Sequence, residues 1–148
     1  PEAWRLATPC SPHRAAALEG VRIDPAALML PDMPGRLVVE GAGGVLVPIV
    51  DDFLFADLFA RWALPVVLVA RTGLGTINHS LLSLEALRSR GVDVLGIAFI
   101  GDAQEDSEAT IARLGAVRRL GRLPLLDPLD AASLKAAFLN SFDVEAFG

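Results

Sequence analysis

Two runs without a charged side chain, PVVLVA (65–70) and VLGIAFI (94–100), bracket the helical pattern TINHSLLSLEALRSRG (76–91). Successive side chains of a strand point to opposite faces of a sheet, so a run that is apolar throughout has to be buried on both. A helix between two such strands is the mark of a parallel sheet covered by helices. Within the helical pattern Leu81, Leu84 and Leu87 share one face and point inward, and Gly91 is the stop.

The remaining chain keeps this alternation. SPHRAAALEG (11–20) starts a helix with Ser11 as N-cap and Pro12 in the first position, and Gly20 ends it. Asp24-Pro25 repeats that signal for a short helix in DPAALML. After the turn-rich residues 31–35, RLVVE (36–40) reads as a short buried strand. FLFADLFARWAL (53–64) has helical spacing and ends before Pro65. DSEATIARLGAVRRLG (106–121) is a helix with acids early and arginines late, in accord with the helix dipole. GRLPLL (121–126) is a fourth short strand or strand end, and DAASLKAAFLNSF (130–142) a closing helix. The fold class is therefore α/β with a parallel sheet. Residues 1–148 show no repeat, low-complexity tract or linker, and form a single domain or a large part of one. The opening stretch PEAWRLATPCSPH has no start methionine and reads as a loop entered in mid-protein.

Composition excludes several classes. Hydrophobic residues make up 53% of the chain, enough for a core, yet no apolar run is long enough to span a membrane. A net charge of -5 argues against nucleic-acid and anionic-membrane binding. No secretory leader pattern opens the chain, and the single Cys10 cannot form an internal disulfide. A reducing, cytoplasmic location is expected.

Two glycine turns carry the candidate chemistry. In LVVEGAGGVLVPI (37–49) a strand runs into Glu40 and then into Gly41, Ala42, Gly43 and Gly44. Ligands of open parallel sheets bind beyond the carboxyl ends of the strands. Nearly bare backbone there lets N–H groups approach a phosphate or carboxyl group, and an acid ending a strand can hold Mg²⁺ directly or through water. The competing reading is a tight turn with a solvated acid. In RTGLGTINHS (71–80), Gly73 and Gly75 make half of a dinucleotide fingerprint, with Asn78 where a third glycine would stand. A glycine turn feeding a helix start is still an anion site, with Thr76 as N-cap and Asn78 in the first turn. A well-capped turn is the alternative.

His13 and His79 have no Cys or His partner at metal-ligand spacing, and His79 reads as a packed or capping residue. Asp51, Asp52 and Asp57 read as charge at a helix N-terminus. The pattern G-x-x-x-x-G-K-[ST] does not occur in these residues; the one lysine, Lys135, lies in SLKAAF.

In order and spacing, SPHRAAALEG, VVEGAGGVLVPI, FADL, LPVVLVARTGLGTINHSLLSLEALRSRG, LGIAFIGD and LGRLPLLDPL resemble the dethiobiotin synthase family. The resemblance implies a three-layer P-loop-NTPase-like α/β fold with a central parallel sheet. Residues 1–148 would be its C-terminal two-thirds, without the N-terminal P-loop portion, and would not catalyse alone. It implies ATP, CO₂ and 7,8-diaminononanoate as substrates, Mg²⁺ as cofactor, and a homodimer. Glu40 matches the family's Mg²⁺-associated glutamate, and Gly41, Ala42 and Gly43 match its loop beside phosphate and substrate. Thr76 and Asn78 match the turn that receives the substrate carboxylate across the dimer interface. Pro124, Leu125 and Leu126 match the segment lining the nucleotide base. Ile100 and Gly101 depart from relatives that carry an adenine-reading Asn there. The alternatives are an inactive binding or scaffold module of the same fold, and a related ATP-dependent amide-forming domain of cobalamin synthesis, which would need a glutaminase-like Cys.

Overall fold

The computed structural model describes residues 3–147. In chain order these form α1 (Pro12–Glu19), β1 (Pro48–Val50), β2 (Phe53–Leu54), α2 (Phe55–Trp62), β3 (Val66–Arg71), α3 (Thr76–Arg88), β4 (Val94–Ile100), α4 (Glu105–Leu114), β5 (Arg119–Leu123) and α5 (Ala131–Ser141). The centre is a parallel sheet in the order β3-β4-β5, and β1 and β2 form a separate antiparallel hairpin.

β4 lies in the middle because it is apolar on both faces, and the residues from Gly96 to Phe99 are buried. Ile97 and Phe99 meet Ala70 of β3, Leu84 of α3, Ile111 of α4 and Val117 in the main core. α3 packs on β3 and on α4, and α5 packs on β5. Of the three leucines expected inward on α3, Leu84 and Leu87 are fully buried and Leu81 partly. A second core gathers Ala16, Ile23, Ile49 and Leu58 with Trp4 and Trp62. Ala56, Leu87 and Val92 join α2 to α3.

Several sequence expectations need correction. RLVVE is not a buried strand: residues 31–40 are exposed and outside any strand, with Val38 92% accessible. Strand hydrogen bonds are made between strands, and no described strand runs beside 36–40. β-propensity alone cannot hold an isolated segment extended. Nor is the sheet covered evenly, because Ala70 of β3 enters the core while Val69 is 57% exposed. The helix expected over 106–121 stops at Leu114 with Gly115 as its C-cap, so the last strand starts at Arg119 rather than 121, and it ends at Leu123 since Pro124 has no N–H to continue the ladder. Finally, Phe53 and Leu54 pair with β1, so α2 begins at Phe55, and DPAALML shortens to one 3₁₀ turn capped by Asp24.

Asp57 holds the start of α2, as expected for helix N-terminal charge. The Leu54 N–H donates to its carboxylate (2.8 Å), as does Arg90 Nε (2.6 Å). Burial alone would raise the Asp57 pKa, but these two donors outweigh it and hold the carboxyl below its ordinary value. A depressed folded-state pKa contributes stability above the unfolded value of 3.8, which is lost as pH falls through the lower folded value. Asp57→Asn should therefore lower stability at pH 7 by at most about 1 kcal/mol, because nearby water screens the pair. Melts of both proteins from pH 7 downward check this. The gap should close below the unfolded pKa, and a gap that is constant with pH would rule out the charge as its source.

Candidate functional site

The three parallel strands end almost level. Beyond β3, the Thr72 N–H donates to the Ile100 carbonyl (3.2 Å), and the Gly101 N–H donates to the Leu123 carbonyl (3.0 Å). A cleft of about 560 Å³ opens there, lined by Arg71, Thr72, Gly73, Leu74, Thr76, His79, Ser80, Ile100, Gly101, Asp102 and Leu125, among others. It includes the carboxyl ends of β3 and β4, where open parallel sheets bind ligands.

Gly75, at φ +91°, turns the chain from β3 into α3 and occupies the N-cap position. Thr76, expected as the cap, is instead the first helical residue and is buried. Its N–H donates to the Gly73 carbonyl (3.2 Å). A left-handed residue was needed at the cap, and glycine takes that conformation without strain. The first turn of α3 thus borders the cleft with the favourable end of the helix dipole. His79 lines the cleft and is exposed, rather than packed in the core.

The predicted site residues are only partly brought together. Thr76 and Leu125 line the cleft, and Leu125 is 73% exposed. Asn78, Pro124 and Leu126 are neighbours in sequence but not lining residues. Glu40, Gly41, Ala42 and Gly43 do not line it either. That loop lies against α2, where a side chain at Gly41 would stand 2.6 Å from the Phe59 ring. The segment after it is tied to the start of α2 by Ala56 N–H to the Val45 carbonyl (2.8 Å) and Phe55 N–H to the Val47 carbonyl (3.1 Å).

Among the described residues no three His, Cys, Asp or Glu side chains gather as a metal centre. Glu40 is a single exposed carboxylate. This suits Mg²⁺, which commonly takes one or two carboxylates and fills its shell with water and phosphate oxygens.

Sequence reasoning missed Thr72 and Asp102 as cleft residues and saw Gly101 only as a departure. Gly101 has φ +128°, and a side chain there would collide with the Thr72 hydroxyl. A glycine directly after an apolar strand was the available signal. The buried acid of α4, Glu108, was also missed, because nothing in its sequence separates it from its exposed neighbours.

The α/β fold and the strand-end cleft define a candidate ligand site, and a family model described as an AAA domain matches residues 1–133. An ATP-dependent dethiobiotin synthetase BioD of Rhizorhabdus wittichii is 64% identical over 147 residues, covering 99% of this chain and 70% of the relative. The protein of the same name from Novosphingobium aromaticivorans is 64% identical over 99% of this chain and 71% of its own length. That from a Bradyrhizobium species is 67% identical over 96% of this chain and 68% of its own. The chain belongs to the ATP-dependent dethiobiotin synthetase family. No helix among the described residues is long and apolar enough to cross a membrane.

Proposed function

We propose that this chain supplies the greater part of a cytoplasmic, homodimeric enzyme that converts 7,8-diaminononanoate, CO₂ and ATP to dethiobiotin with Mg²⁺. The observation that carries this is the 64% identity across 99% of the chain to a protein named as an ATP-dependent dethiobiotin synthetase. One amine takes up CO₂ as a carbamate. A carbamate oxygen attacks the γ-phosphorus of ATP and releases ADP. The second amine then attacks the carbonyl of the mixed anhydride, phosphate leaves, and the cyclic urea closes. Bound Mg²⁺ would neutralise charge on the transferring phosphoryl group.

The residues of this chain act by binding and orientation. Glu40 would hold the metal. Gly41, Ala42 and Gly43 bring backbone close to phosphate and substrate. Pro124, Leu125 and Leu126 offer apolar surface to the base, and Thr76 and Asn78 take the substrate carboxylate at the start of α3 in the partner's site. The test is formation of ADP and dethiobiotin by the purified full-length protein. No product with all substrates and Mg²⁺ present would sink the reading and favour an inactive binding module.

Asn78→Ala should weaken diaminononanoate binding by about 1–2 kcal/mol, the loss expected for one hydrogen bond to a charged group, and ATP binding less. Titration calorimetry with each ligand separates the two effects. The change should also act across subunits. Mixing Asn78→Ala subunits with Glu40→Gln subunits should restore part of the activity, because one site of each hybrid then carries neither defect. Exchanging subunits without recovery would place Asn78 in its own subunit's site.

A further inference from the structure

Glu108 on α4 is buried, its side chain 1% exposed, while Glu105 and Asp106 in the same turn face solvent. It meets two guanidinium groups from β5. Arg119 Nη2 stands 2.5 Å from Oε2, and Arg122 Nε stands 3.3 Å from Oε1; both are charge contacts without hydrogen-bond geometry, so Glu108 steers Arg122 by charge and not by an aligned hydrogen bond. The Gln104 N–H donates to Oε1 (3.1 Å). Arg119 also pairs with the exposed Glu105. Arg122 has a second partner of another kind: its Nη1 donates to the Gly101 carbonyl (3.2 Å), in the lining of the cleft.

A buried ion pair is weak ground for stability, because desolvation offsets the attraction and apolar residues of similar volume often do as well. An apolar pair cannot, however, aim a donor at a carbonyl. The Ile100–Gly101 peptide is already restrained by Leu123 through the Gly101 N–H, and Thr72 leaves no room for a side chain at Gly101. Arg122 holds the next peptide, Gly101–Asp102, through its carbonyl.

We propose that Glu108 and Arg122 are positioning residues for the nucleotide end of the cleft: Glu108 orients Arg122, and Arg122 holds the Gly101 carbonyl so that the β4 and β5 ends present a preset surface to the base. This rests on the nucleotide reading above. Neither side chain needs to touch the nucleotide. A surface held in its bound shape avoids the ordering that a loose one requires on binding.

The test uses steady-state kinetics of the full-length protein. Arg122→Met keeps the side-chain stem and removes the donor. It should raise the KM for ATP about tenfold, while the KM for diaminononanoate stays within about twofold. Glu108→Gln should shift the ATP value in the same direction by less. The double variant should be no worse than Arg122→Met alone, since both act along one path. Arg119→Met shares Glu108 but does not reach Gly101, so it should leave the ATP value unchanged. A general loss of packing would move both KM values and the melting temperature together. An unchanged ATP KM in Arg122→Met, equal shifts for both substrates, or an Arg119→Met effect of the same size would each overturn the proposal. If Glu108→Gln does not fold, the contrast between Arg122→Met and Arg119→Met decides. Unsubstituted protein without ATP-dependent turnover overturns the enzyme reading and this inference together; turnover with the wrong KM pattern overturns this inference alone.

Discussion

Glu40→Gln in the full-length protein is expected to lower kcat about 100-fold, the loss typical of removing one transition-state electrostatic contact. The Mg²⁺ concentration needed for half-maximal rate should rise as well. Glutamine keeps the shape and one oxygen of the side chain but removes the charge that a hard cation favours. Glu40 is exposed and outside the three apolar clusters, so the thermal melt should not move. Rate against Mg²⁺ concentration, with a melt beside it, separates the two roles of the residue. A normal Mg²⁺ profile would leave Glu40 as a solvated turn acid.

Phe99→Ala should remove about 3–5 kcal/mol of stability, the range for truncating a buried aromatic. Phe99 has no accessible surface and stands in the central strand among Leu84, Ile97 and Ile111. For a domain of this size, that loss corresponds to a melting temperature lower by roughly 10 °C. Leu114→Ala, at a site 57% exposed, should change stability by about 0.5 kcal/mol or less. Denaturant unfolding of the two variants measures the contrast, and similar losses would mean that the core is not centred on β4.

Both expectations turn on positions whose meaning the sequence showed unequally. PVVLVA, VLGIAFI and the helix between them were legible because burial on both faces leaves a continuous apolar run, and helical burial leaves the spacing of Leu84 and Leu87. Helix α5 was legible, and the acids marked the start of α4, but the arginines carried the expected helix past Gly115 into residues that form β5. The strand-end turn at 71–76 could be placed for the same reason, since a glycine pair between a strand and a helix is a local signal.

RLVVE shows the limit of such signals. Its composition is that of a strand, but hydrogen-bond partners and a covering layer are non-local, and the folded chain sets neither beside it. The β1–β2 hairpin was hidden for the opposite reason: Phe53 and Leu54 continue the apolar pattern of α2, so spacing alone assigned them to the helix. Glu40 and Thr76 stand out in the sequence by their adjacent glycines, but only Thr76 lines the cleft, together with Leu125 from beyond the end of β5. Glu108 marks the same boundary. Its sequence context is that of any acid in a first helical turn, and only the fold sets it beside Arg119 and Arg122 of β5, the second of which donates to the Gly101 carbonyl. Local patterns determined which segments are strands, helices and turns because burial and capping act between near neighbours. The tertiary structure alone decided which charges meet and which apolar runs are covered, because those depend on residues far apart in the chain.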